Sequence, residues 1–535
     1  MKNYVCTPLL SQPGIQRDGT SYDTNYYIDG QWVRFYKGRA RSIAGYNAIC
    51  YGNSTIIRNL YSFSNESFIN LYIGRYNTVS YIVLSPTGDN NIGSITEIFR
   101  TPINLNIDDN NSWSFDLFTS TNVTYENAQI IGQVCPNASD INNMVEGNIY
   151  YGDVTLNSPL EKITDSNLGD ITCSGGIVFV SPILVAYGNN GVIKFSNPLA
   201  TNPLFTWTYN DGSSDVPQTS TIANTKIVYG TPVIGTNTPT ALFWSLNSLS
   251  RVEFTPATDE NGVILNGYEA TNVKIADCSI ISANCVVQYK QTFFWIGTDQ
   301  FYMYDGVVRP IPNTMNRRYF FDNVNLVYRN KIFGIVIPAY DEIWWFYPSK
   351  NSTENDSVII FNVSEGFWFD SKINRSAGVA ASLFPYPILA DSETTVIQTR
   401  GGSSNNYLIW QHEIGTDKVI ANTVTAIPKS VSHHIMDFCT QEGGQNRFLR
   451  NRRIEPDFIM TGNMELTITN LNYASDIRNG NALSEGPLTF NQNTQYIDFS
   501  TQGRLTFITY TSNAIGGSFQ GGKTLYDWEI GDVQT

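Results

Sequence analysis

At 535 residues the chain is too long for one ordinary hydrophobic core, and roughly two to four domains are expected. Hydrophobic residues make up 41% and aromatic residues 13%, enough to fill large cores and to exclude general disorder. The 33 basic and 47 acidic residues leave a net charge of −14, which excludes a surface built to wrap nucleic acid, because phosphate binding needs a dominant positive field.

Only 15% of the residues are charged, so polarity is carried largely by Asn, Ser, Thr, Tyr and Gly, a mixture that suits strands and turns better than solvent-facing helices. The predicted fold class is all-β with few helices. The opening Met1 to Pro8 lacks the continuous apolar core of a signal peptide. Residues 1–45 are expected to form an N-terminal segment that packs on the domain after it. Within it, Arg34, Lys37, Arg39 and Arg41 form a basic cluster. If Val33 to Arg41 is extended, Lys37, Arg39 and Arg41 share one face, where like charges repel unless an anion or carboxylate faces them.

Residues 46–420 carry recurring Asn-Gly and Asp-Gly pairs, such as Asn190-Gly191, Asn261-Gly262, Asn266-Gly267 and Asp305-Gly306. These pairs tolerate the positive φ that two-residue hairpin turns require. A weak repeat joins Leu71–Tyr76, Pro232–Asn237 and Phe294–Asp299: an apolar strand reaches Gly, turns, and is followed by another strand. Such a unit fits the inner strands of successive blades of a β-propeller with inserted loops, about five to seven of them. Glu342–Tyr347, Ser357–Asn362 and Gly366–Phe369 are predicted to be three consecutive strands of one blade, with Asn351 to Asp356 as a polar loop. Trp344 and Trp345 should then lie on opposite faces of their strand. The most apolar stretch, Ile177 to Tyr187, includes Ser181 and Pro182 and falls short of the roughly 20 apolar residues of a membrane span; it is predicted to be a buried strand.

Past Tyr407–Trp410 the composition shifts. Residues 421–453 are rich in Thr, Ser, Gly and Arg and are predicted to be a linker, ending in a second basic cluster of Arg447, Arg450, Arg452 and Arg453. From 454 the alternation resumes, and 454–535 is expected to be a separate antiparallel, sandwich-like β domain. A chain ending at 453 is expected to stay soluble.

Candidates for chemistry are few. The seven cysteines are scattered without a C-x-x-C pair, which argues for reduced thiols over a disulfide framework or a zinc site. Of the three histidines, His433 and His434 lie in a run ending at Cys439; adjacent residues of a strand point to opposite faces, so a shared metal is not expected. Asp108-Asp109-Asn110-Asn111 lacks the Gly and terminal Glu of a calcium loop and is expected to be a solvated turn. No nucleophile, zincin or phosphate-loop motif is present, although the paired carboxylates of a glycosidase are defined only in three dimensions. The expectation is a non-enzymatic protein with no cofactor. The two basic clusters have three competing readings: solvated surface, contacts to an acidic neighbouring subunit, or contacts to DNA.

Several stretches resemble a family of tailed-bacteriophage virion structural proteins. They are Gln12–Thr20, Asp29–Phe35 with Gly38–Arg41, Lys194–Pro198, Ala241–Leu246, Phe294–Gly297 with Phe301–Gly306, Glu342–Ser349, Gln411-His412-Glu413-x-Gly415 and Arg452–Phe458. The segment Trp344-Trp345-Phe346-Tyr347-Pro348-Ser349 is the most specific of them. Near the C-terminus, Ser518-Phe519-Gln520-Gly521 departs from the Trp-Arg-x-Gly-like strand expected there. Proteins of this kind look like tail hub or nozzle components of short-tailed phages. The resemblance implies a β-propeller in a homo-oligomeric ring of six that extends the portal channel for DNA retention and ejection. It would sit in the virion tail after synthesis in the host cytoplasm, with no membrane in the assembled virion. The implied partners are portal-adaptor ring proteins, tail fibres or spikes, and genomic DNA passing through without tight binding. In that setting the two basic clusters are expected at subunit or partner contacts. Another neck, connector or stopper ring protein, and a receptor-binding or glycan-degrading adhesin, are the alternative readings.

Overall fold

Period-2 alternation and β-branched and aromatic residues dominate the chain, and both favour a pleated, half-buried backbone. The computed structural model is accordingly all-β. It describes residues 5–533 except 52–53, 66–67, 86–94, 104, 106–110, 121–127, 137–144, 200–204, 212, 260, 400–401 and 438–446. The stretch Asp108 to Asn110, Gly212 of the Asp211-Gly212 pair, and Cys439 therefore lie outside the described residues. Among those described, the longest α-helix is Arg317–Asn323.

Among the described residues, seven sheets follow one another along the chain, antiparallel except for one parallel pair in the seventh. Their first strands are Ile57–Asn65, Ser112–Phe118, Gly176–Val180, Ile227–Pro232, Val287–Tyr289, Phe333–Ile337 and Arg375–Val379. Each first strand packs beside that of the next sheet, the fourth and fifth sheets meeting through the turn Ala283–Cys285, and the seventh packs beside the first. The fourth strand of the seventh sheet is Tyr46–Cys50, which pairs antiparallel with Ile409–His412 and parallel with Lys418–Ile420, so the chain's early residues sit inside the last sheet of this series.

The aromatic segment forms consecutive strands of the sixth sheet, Glu342–Tyr347, Ser357–Asn362 and Trp368–Ser371, close to the three strands expected from the sequence. Trp344 and Trp345 point to opposite faces. The Trp345 ring enters the space toward the fifth sheet, where it stacks on Trp368 with centroids 6.1 Å apart and its Nε1 donates to the Cys285 carbonyl at 2.9 Å. It fits because Gly334 is opposite: a Cβ there would stand 2.7 Å from the indole. Trp344 shares the other face with Phe346, which stacks on Phe333. Both indoles are buried.

The Gly-turn repeat is only partly equivalent in space. Leu71–Arg75 and Phe294–Ile296 end the second strands of the first and fifth sheets, whereas Pro232 ends the first strand of the fourth. The repeat therefore marks second strands in two cases, not the strands that touch from sheet to sheet. Asn190-Gly191 and Asp305-Gly306 do turn between strands, but Asn266-Gly267 lies inside the strand Ile264–Asp277 and Asn479-Gly480 ends a helical turn.

The two ends of the chain interleave. Val5–Leu9 pairs with Thr524–Val533, Asp29–Gln31 with Lys429–Ser432, and Arg39–Ser42 with Ser518–Gly521. Segment 1–45 also packs on the sixth sheet, with the Trp32 amide donating to Ser371 Oγ at 2.9 Å. Residues 421–453, expected as a linker, contain Lys429–Ser432, a strand inside a five-stranded sheet, and most of Arg447–Glu455, a central strand of another. One apolar cluster runs from Ile15 and Phe35 through Trp344 and Trp368 to Tyr510 and Trp528. A cut at 453 therefore strips partners from Val5–Leu9, Arg39–Ser42 and Lys429–Ser432 and opens a shared core, and exposed strand edges aggregate. Contrary to the expectation from composition, the 1–453 fragment should be insoluble or aggregated by size-exclusion chromatography; a soluble monomer would contradict this packing.

Candidate interface clusters and a buried ionic seam

The first basic cluster lies on a hairpin, Val33–Tyr36 and Arg39–Ser42, not on one extended strand. Lys37 and Gly38 both have positive φ, 50° and 72°, the geometry of a two-residue turn that matches strand twist. Val33, Phe35 and Ala40 enter the core, so Arg34, Tyr36, Arg39 and Arg41 share the opposite face, with Arg34 directly across from Arg41. The turn is tied down by Glu365, whose carboxylate accepts from the amides of Lys37 and Gly38.

Arg34 is not available to a second subunit, because it is completely enclosed within the chain. Its Nη1 and Nη2 donate to the two oxygens of Glu413 at 2.8 and 2.7 Å, and Nη2 lies 3.2 Å from Glu342 Oε2. The guanidinium lies over the Tyr340 ring, 3.6 Å from its centroid. Glu342 Oε2 also accepts from Trp344 Nε1 at 2.9 Å. Burial alone would lower the Arg34 pKa, but the two carboxylates more than reverse it. Burial raises Glu342 to about 7, with Arg34 and the Trp344 N–H opposing and Glu413 adding to the rise. A single guanidinium thus meets two carboxylates, and Glu342 is the one whose burial lets it take a proton readily. This seam joins the N-terminal hairpin, the sixth sheet and the turn after the third strand of the seventh.

A second tie locks the closing strand. Arg375, on the first strand of the seventh sheet, donates from Nε to His412 Nε2 and from Nη1 to Asp391, both at 2.9 Å. The His412 ring stacks on Tyr46, 5.0 Å between centroids. Burial and the neighbouring Arg375 charge hold the His412 pKa well below its ordinary value, so the ring is the neutral acceptor this bond requires. Four neighbouring strands of that six-stranded sheet are thereby cross-linked by side chains.

The second basic cluster meets its charge within the chain. Arg450 faces Asp532 at 3.3 Å, Arg452 faces Glu529 at 3.6 Å and Arg453 faces Asp498 at 2.7 Å, each partner on an adjacent strand. Arg453 also lies 3.9 Å from the Tyr496 ring centroid, and Arg447 donates to the Gly531 carbonyl. Lys37, Arg39 and Arg41 form no ion pair among the described residues; Arg39 is exposed and Arg41 half-buried. The structure does not bring the two clusters together in one ladder.

His433 and His434 converge where alternation placed them apart. The strand ends at Ser432, and both Nδ1 atoms reach Ser11 Oγ, at 2.9 and 2.8 Å. Burial lowers both pKa values, His433 to about 3. Among the described residues no group of three or more His, Cys, Asp or Glu is placed to hold a metal.

Glu342, Glu413, Arg375 and Asp391 are not marked as site residues by the sequence patterns. Glu342 and Glu413 stand inside the stretches that carry the resemblance, and that was the available signal for them; Arg375 and Asp391 had none. No family model matches the chain, and no curated protein matches its sequence.

Proposed function

We propose that the chain is a structural ring component of a phage tail, a hub or nozzle subunit that extends the portal channel for DNA retention and ejection. The observation that supports this reading is the meeting, at one buried seam, of three of the stretches that resemble the phage family: Arg34 from Asp29–Phe35, Glu342 from Glu342–Ser349 and Glu413 from Gln411–Gly415. Motifs distant in sequence are then one structural unit, as a common fold requires. For the fold we propose a seven-bladed β-propeller, each four-stranded meander being one blade and Tyr46–Cys50 closing the last. The interleaved terminal strands form the accompanying sandwich-like domain. The order of the sheets and the return of the seventh to the first support it.

In this reading the copies form a ring of six, joined to portal-adaptor rings above and to fibres or spikes, with DNA passing through unheld. A net charge of −14 per chain suits a conduit, because a neutral or electronegative wall repels phosphates. Assembly then needs local attraction, and Lys37, Arg39 and Arg41 supply it against a neighbour's carboxylates. Reversing Arg39 and Arg41 together to Glu should abolish assembly, read by light scattering as loss of a species of about 359 kDa, six times the 59.9 kDa chain. Weak duplex binding at physiological salt should not change. Tight duplex binding by the native protein, lost on that reversal, would overturn the conduit reading.

A further inference from the structure

Two strands of the fourth sheet outrun the rest of it. Thr240–Ser245 pairs with Ser248–Thr258 only as far as Glu253, whereas Ser248–Thr258 and Ile264–Asp277 stay paired out to Thr258 and Ile264. At about 3.4 Å per residue, Phe254 to Thr258 carry this arm roughly 17 Å past the neighbouring strand. The third sheet supports it: Phe254 packs edge-on against Phe195 at 5.3 Å, and the Tyr268 amide donates to Gln218 Oε1 at 2.6 Å. Gly267 leaves room for Tyr209 of the hairpin formed by Thr208–Asn210 and Asp215–Pro217, which lies against the arm.

The arm is apolar at its tip and acidic beside it. Val263 and Ile264 are exposed, as is Ile234 on the turn between the first two strands of the same sheet. Held out on a rigid arm, these side chains gain by being covered. Asp211, Asp215 and Glu269 are exposed and Asp259 is half-buried, and none of the four forms an ion pair among the described residues.

The unpaired cations Lys37, Arg39 and Arg41 stand at the same end of the molecule. In the sixth sheet, the turns that correspond to Ile234 and to the arm's tip carry Tyr340 and Glu365, and these hold the basic hairpin. Between the two sheets, Lys290 on the first turn of the fifth pairs with Asp341 at 2.6 Å. Burial raises the Tyr304 pKa and the Arg251 charge opposes it, which puts the base of the arm beside the last turn of the fifth sheet. Tyr36 and Tyr340 meet edge-on at 5.4 Å next to the cations and give that surface an apolar part.

We infer that the acidic, apolar-tipped arm of one copy docks on the Lys37–Arg41 hairpin of the next. The inference rests on the proposed ring and names the carboxylates that the cations meet there. Lys37, Arg39 and Arg41 face Asp215, Asp259 and Glu269, while Val263 and Ile264 cover Tyr36 and Tyr340. Each copy uses two different surfaces, so the contact is head-to-tail. Both surfaces lie at one end, so the contact can repeat around an axis without a rise and close. Its ion pairs set the register and weaken in salt.

Light scattering on full chains tests it. Asp215→Lys with Glu269→Lys should prevent assembly, as Arg39→Glu with Arg41→Glu should. An equimolar mixture of the two variants should assemble again, because each offers the charge that the other's surface needs and alternating copies close a ring of six. Should the arm variant fold poorly, native protein gives a second reading. Carbodiimide coupling of mixed isotope-labelled and unlabelled copies should join Lys37 to Asp259 or Glu269 across copies, resolved by peptide mass. Three results would overturn the docking and leave the ring standing: an arm variant that assembles like the native chain, a mixture of folded variants that stays monomeric, or coupling of Lys37 only to other carboxylates of an assembled native chain. Native protein that is monomeric at every concentration would overturn the ring as well.

Discussion

Arg34→Met is expected to destabilise the chain by about 3–5 kcal/mol in denaturant titration, because it leaves Glu413 and Glu342 facing one another without their cation. Glu342→Gln should act in the opposite direction and only at higher pH. The folded-state pKa of Glu342, about 7, lies above the ordinary value of 4.5, so the native state holds more protons than the unfolded state between those limits. Stability from this residue is then complete below pH 4.5 and is lost as pH rises through 7. Gln keeps acceptor and shape without the proton, so at pH 8 the variant should be more stable than the native chain by about 1–3 kcal/mol, and at pH 4.5 the two should agree. His433 works with the other sign: its pKa is depressed from 6.5 to about 3, so its stabilisation is present above pH 6.5 and is lost as pH falls toward 3. That effect is common to both proteins and cancels in the comparison. An Arg34→Met variant that unfolds at native denaturant concentrations would mean the seam bears no load.

Trp345→Ala is expected to cost about 3–5 kcal/mol, the range for emptying a large aromatic site in a rigid core. The indole is wedged between the fifth and sixth sheets, bonded to Cys285 and faced by a glycine, so the vacated volume has no flexible neighbour to fill it from that side. Trp344→Ala should also destabilise, and through a separate route, since it takes away the N–H that Glu342 accepts. A melting temperature unchanged in both variants would contradict the assignment of Glu342–Tyr347 as an internal strand.

Local patterns carried the sixth sheet well. The run from Glu342 to Phe369 is a series of continuous apolar, aromatic-rich stretches broken by polar turns, so its strands and the split of the two tryptophans were legible. Long-range pairing was not. Tyr46–Cys50 looks like any short apolar strand, and nothing local says that its partner is Ile409–His412. For the same reason Lys429–Ser432 and the start of Arg447–Glu455 read as linker: Thr, Ser and Arg suit an exposed loop as well as a solvated strand face. The basic clusters were visible, but charge patterning does not reveal counter-charges. Arg34 is buried with Glu413 because the Lys37-Gly38 turn folds its strand back, and Arg450, Arg452 and Arg453 face acids that lie 45 or more residues downstream. Alternation misled at His433 and His434 because the strand stops one residue earlier.

The most direct test of a tail-ring role is electron microscopy of purified virions labelled with a gold-conjugated antibody against this protein. Label is expected to be confined to the tail below the portal, at the axial channel. Label at the tips of fibres, or none on intact particles, would contradict it.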